Sequence, residues 1–134
     1  MPSILPRFIE TNTYFINSPL TVPVISISGD DLLTLLNGTQ IEPFGALEFF
    51  DRTGVMQTEV TGEFNKHGND SWAYDQRGFD YVMRDQFGYN YALQDEIFMT
   101  KNRDKFQRII VKAAANDNYP FSYGGSGAHI RDAY

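Results

Sequence analysis

The strongest limit on the fold lies in residues 44–64, FGALEFFDRTGVMQTEVTGEF. Met56, Thr58, Val60 and Phe64 fall on one side of an extended chain, and Gln57, Glu59, Thr61 and Glu63 on the other. A period of two belongs to a strand with one covered face and one wet face. The apolar run before it, residues 44–51, reads as a second strand, and DRTG between them is a turn signal. The pair predicts an antiparallel hairpin. Gly62 interrupts the apolar side and marks a bulge or a close backbone approach.

The rest of the chain supplies further short elements. Residues 22–28, VPVISIS, are apolar and β-branched and predict a strand, with Pro23 at its edge or start. Residues 13–16 predict a short strand before it. DDLLTLLNG follows: Leu32, Leu35 and Leu36 form a short helical face, Ser28 and Asp30 are the candidate caps, and Gly38 stops the helix. The acidic pair Asp30 and Asp31 suits a helix start. Residues 65–70, NKHGND, read as loop. Residues 79–84 alternate, placing Phe79, Tyr81 and Met83 opposite Asp80, Val82 and Arg84, and DQFG is the next turn. Residues 90–98 read as a helical turn or an undetermined segment. Residues 106–114 predict another strand, with Gln107, Ile109, Val111 and Ala113 on one face. Residues 116–123 are an aromatic-rich loop, and GGSG precedes a helix start at the end of the chain. The sum is an α+β domain, mostly antiparallel sheet with short helices and long loops near 65–78 and 115–127.

Length and charge narrow the function. The chain has 134 residues, which suits one domain. Its formal charge is -6, and it has no run rich in Lys and Arg. Nucleic acid prefers the opposite sign, so no nucleic-acid partner is expected. Cysteine is absent, which excludes disulfides, thiolate catalysis and Cys-ligated metal. No apolar run approaches the length of a membrane span, so no membrane insertion is expected. Residues 1–10 lack the basic start and apolar core of a signal peptide. The two ends read either as frayed domain ends or as the cut edges of a larger protein.

The polar residues with chemical potential concentrate in residues 67–78, HGNDSWAYDQRG. Gly68, Asn69 and Ser71 offer a polar loop, and Arg77 stands where the next strand starts, within reach of a loop-bound phosphate. The alternative is that Trp72 and Tyr74 anchor a purely structural loop. Asn116 and Asp117 end a strand-like run and suit either a site or an Asx turn. GGSG is a short glycine run that suits a linker or, before a helix N-terminus, an anion. His67 and His129 are the two histidines, and nothing in their spacing joins them at a metal. Arg84 shares a face with Asp80 and is expected to pair with it or with a cross-strand acid.

Several segments, taken in order, resemble the CotH kinase family, a group with an atypical protein-kinase-like fold. They are VPVISISGDDLLTLLNG, ALEFFDRTG, VTGEFNKHGNDSWAYDQRGFDYVMRDQFG, FQRIIVKAAANDN and HIRDAY. Together they cover residues 20–134, and residues 1–19 read as a linker or the end of a preceding module. The resemblance implies transfer of phosphate from ATP to protein serine in a longer parent, with Mg or Mn. It makes Arg77, Gly68, Asn69, Ser71, Asn116 and Asp117 the cofactor-binding candidates. Where the family carries a lysine pair this chain reads Gln76–Arg77–Gly78, and arginine is not equivalent to lysine there. The family's acidic catalytic residues lie mostly beyond the helix that starts at Arg131. The resemblance therefore implies an N-terminal portion that is inactive alone and holds no cofactor by itself. It also implies an exported or cell-envelope setting, with a protein substrate or neighbouring domains as partners.

Two other readings stand beside it. A non-catalytic structural module of a surface or adhesion protein predicts a closed loop with Trp72 buried. A carbohydrate- or peptide-binding module predicts exposed aromatics among Trp72, Tyr74, Tyr119 and Phe121.

Overall fold

The structure, a computed structural model, describes residues 10–73, 75, 77–85, 91–98 and 100–113, excepting the side chains of residues 70 and 71. In chain order it contains β1 (Val24–Ser28), α1 (Leu32–Leu36), β2 (Phe44–Phe50), β3 (Met56–Lys66), a 3-10 turn (Asp70–Ala73), β4 (Phe79–Met83), β5 (Leu93–Gln94), β6 (Lys105–Phe106) and β7 (Arg108–Val111). Five strands form one sheet in the order β1-β2-β3-β4-β7, and β5 pairs with β6. β1–β2, β4–β7 and β5–β6 are antiparallel. This is an α+β fold built mostly on antiparallel sheet, as expected.

The chain divides into two compact units. The first comprises Met1–Ser28, Gly45–Gly62 and Met83–Gln107. Its core includes Leu47, Phe50, Val60, Met83, Leu93 and Phe106. The DRTG turn forms as predicted. Gly54 has φ 84, a conformation glycine adopts without steric cost. Its N–H donates to the Asp51 carbonyl, and the Asp51 N–H donates to the Val55 carbonyl. Asp51 Oδ1 accepts from the Thr53 N–H, the Thr53 hydroxyl and the Val55 N–H, at 2.8, 2.6 and 3.1 Å. On β3 the alternation holds at Val60, while Met56 is exposed because it lies at the hairpin tip.

Four expectations need correction. Residues 13–16 form no strand, because Thr13 turns its N–H to the Glu48 side chain and not to a strand backbone. β1 begins at Val24, one residue after Pro23, which has no N–H to give a ladder. The segment read as a helical turn contains β5. The predicted strand at 106–114 is divided, since Phe106 pairs with Leu93 and a bend at Gln107 precedes β7.

The second unit comprises Gly29–Phe44, Glu63–Val82 and Arg108–Tyr134. Leu32 and Leu35 bury one side of α1. Phe64 lies at its aromatic centre, with ring centroids 5.4 Å from Phe79 and 4.6 Å from Tyr81. Burying side chains of this size stabilises by roughly 1.5–3 kcal/mol each. The helix start differs from expectation. Asp31 is the N-cap and makes no side-chain cap bond, while the Ser28 hydroxyl is used by Thr11. The helix stop is as predicted. Gly38 has φ 106, and its N–H donates to Leu35 while the Thr39 N–H donates to Thr34. This is the paired closure of a Schellman motif. β3 also extends to Lys66, so Asn65 and Lys66 belong to a strand and not to the loop.

Candidate functional site

The segment from His67 to Gly78 joins β3 to β4 and holds most of the sequence-level candidates. Gly68, with φ 92, turns the chain out of β3. The Asn69 carbonyl then accepts the Trp72 N–H at 3.1 Å, opening the 3-10 turn. Trp72 is 8% exposed, and its indole N–H donates to the Gly78 carbonyl at 3.1 Å. The same carbonyl accepts the His67 N–H at 3.4 Å, so one acceptor pins both ends of the segment. A Cβ on Gly78 would lie 2.9 Å from the Val111 carbonyl oxygen. Only glycine lets β7 approach the start of β4 this closely.

Arg77 is held by main chain. Its Nε donates to the Trp72 carbonyl at 3.0 Å and its Nη1 to the Leu36 carbonyl at 2.8 Å. The guanidinium lies against Gly38, where a Cβ would come within 3.3 Å of Nη2. The effect on α1 is complete. Leu33 accepts from Asn37, Thr34 from Thr39, Leu35 from Gly38 and Leu36 from Arg77. The last four carbonyls of a helix lack partners within it, and here each receives one. The cation also carries the charge sign a helix C-terminus favours. Arg77 Cζ and Lys66 Nζ lie 5.9 and 5.4 Å from the Trp72 ring, so the indole has a cation on each contact.

A second polar cluster stands beside this loop. Asp80, whose side chain is 5% exposed, has His67 Nδ1 2.8 Å from Oδ1 and Arg108 Nη2 on Oδ2. Register explains the reach of Arg108. Asp80 pairs with Ile110 across β4 and β7, so Arg108 is its diagonal neighbour on the same face. Oδ1 is buried and receives no well-directed hydrogen bond, although His67 Nδ1 approaches it. Asp80 takes these two partners, where the sequence had Arg84 pairing either with Asp80 or with a cross-strand acid. Sequence reasoning missed the His67–Asp80–Arg108 cluster, although an acid in the apolar run FDYVM is a signal that a partner must be supplied.

Among the described residues no group of three or more His, Asp or Glu side chains is placed to hold a metal. Gly68 and Asn69 shape the turn, and the Ser71 side chain, Asn116 and Asp117 lie outside the described residues, as do Tyr74, His129 and GGSG. No helix among the described residues is long and apolar enough to cross a membrane. No protein-family model, curated protein or solved structure matches the chain.

Proposed function

We propose that this chain is a non-catalytic structural module, a CotH-like segment of an exported or surface protein whose loop at 67–78 serves packing and not nucleotide binding. The observation that carries this reading is the state of Arg77. A phosphate-binding guanidinium presents its fork to an anion, whereas here Nε and Nη1 are both given to main-chain carbonyls. The buried indole supports the same reading, because an aromatic used for stacking on a sugar or peptide must expose its face.

Calorimetric titration of the folded chain with ATP and Mg²⁺, repeated with Mn²⁺, tests the proposal. No saturable heat is expected. Micromolar binding that Arg77→Ala weakens, in a variant that keeps its fold by circular dichroism, overturns it in favour of a nucleotide-binding kinase-like domain.

A further inference from the structure

Residues 10–16 make no strand, yet they lie on the first unit as an extended strap. Burial alternates along them: Thr11, Thr13 and Phe15 are half-buried, and Asn12, Tyr14 and Ile16 are exposed. The inward residues step along β1 and β2 in order. The Ser28 hydroxyl donates to Thr11 Oγ1 at 3.0 Å. Thr13 Oγ1 lies 2.7 Å from Ser26 Oγ, and both its N–H and its hydroxyl donate to Glu48. The Phe15 ring stands edge-on to Phe50 at 4.9 Å. Ser26 pairs with Glu48, and Val24 with Phe50. The strap therefore runs antiparallel to β1 across one face of the β1–β2 pair, with hydroxyl, hydroxyl and aromatic seats two residues apart.

Those seats demand an occupant. Glu48 is 2% exposed, and Thr13 supplies its hydrogen bonds from a main-chain and a side-chain donor. A buried carboxylate stripped of such donors is left with nothing to replace its lost hydration. The strap is held by three side chains and one main-chain N–H, all groups that another copy of the segment supplies equally. The chain that follows it, residues 17–23, contains Pro19 and Pro23, and Asn17 has φ 53, which is uncommon for a residue other than glycine. Seven residues reach at most about 24 Å when extended. That allows the strap to swing away from its own sheet while β1 stays paired with β2.

We propose that this strap is exchangeable, and that the β1–β2 face accepts residues 10–16 of a second copy of the chain. The seats match this sequence, so a second copy supplies the complementary ligand at no cost in specificity. Reciprocal exchange of an identical segment reproduces every contact and adds a two-fold interface. Its equilibrium is then set by protein concentration, with the hinge as the adjustable element.

The absence of cysteine gives a direct test. Full-length Thr13→Cys chains and Ser26→Cys chains of different tag mass are mixed, left to equilibrate at rising concentration, and oxidised. The 2.7 Å separation of the two hydroxyl oxygens sets the residues close enough for a disulfide. The expected result is a disulfide-linked heterodimer of the Thr13→Cys and Ser26→Cys chains, in excess of its statistical share against both homodimers and growing with concentration. A mixture of Ser26→Cys with Leu33→Cys, at an exposed position, reports random collision. The doubly substituted chain, Thr13→Cys with Ser26→Cys, must close within one molecule at high dilution. Failure of that closure overturns the strap itself. Closure within one molecule at every concentration, with no heterodimer above the collision control, overturns the exchange.

Discussion

The carbonyls of Trp72 and Leu36 depend on one guanidinium, so Arg77→Ala strands two main-chain acceptors at once. Leaving one buried acceptor unsatisfied costs about 1–3 kcal/mol; these two bonds are partly buried, so water compensates part of the loss, and urea denaturation is expected to show about 1–3 kcal/mol in all. Arg77→Lys recovers less than half of it, because a single ammonium cannot span two carbonyls in a fixed fork. Asp80 shows the complementary case of a buried acid whose partners are partly wet. Arg108 is 60% exposed in its side chain, so water compensates part of its loss. Arg108→Met is expected to destabilise by about 2 kcal/mol, below the roughly 3–5 kcal/mol of a fully buried broken pair. Removing His67 in that background costs more than removing it alone, which a double-mutant cycle in urea measures.

At the scale of elements, the hairpin between β2 and β3 rests on Asp51. Hydrogen bonds from the Thr53 side chain and then the Val55 N–H hold its carboxyl below the ordinary 3.8. A depressed acid contributes stability that is present above its unfolded pKa and is lost as pH falls through the folded one. Asp51→Ala is therefore expected to lower the melting temperature at neutral pH, with the gap to wild type closing in strong acid. Glu59 on β3 works in the opposite direction. Burial, then Glu48, then Glu10 raise its carboxyl above the ordinary 4.5. The protonated form suits the fold, so its contribution is present below the unfolded pKa and is lost as pH rises through the folded one. Glu59→Gln is expected to raise the melting temperature at neutral pH and to have no effect below about pH 4.

For the whole molecule the formal charge is -6, and like charge opposes compaction. Salt from about 0.02 to about 0.3 M shortens the screening length several-fold. The melting temperature is expected to rise over that range by calorimetry, because screening weakens the repulsion among the excess acids. Features written by neighbours in the chain were legible from the residues alone. The β2–β3 hairpin was legible because the period of two and the DRTG turn are local, and the end of α1 because Gly38 alone relieves a positive φ. The two-residue strands β5 and β6 are too short to display any period, so pairing alone revealed them. Arg77 to Leu36 spans 41 residues and Thr13 to Glu48 spans 35. Packing in three dimensions chose these partners, and with them whether Arg77 faces a ligand or a carbonyl. A polar side chain takes whichever group strand register and loop closure bring within about 3 Å, and no local pattern encodes that.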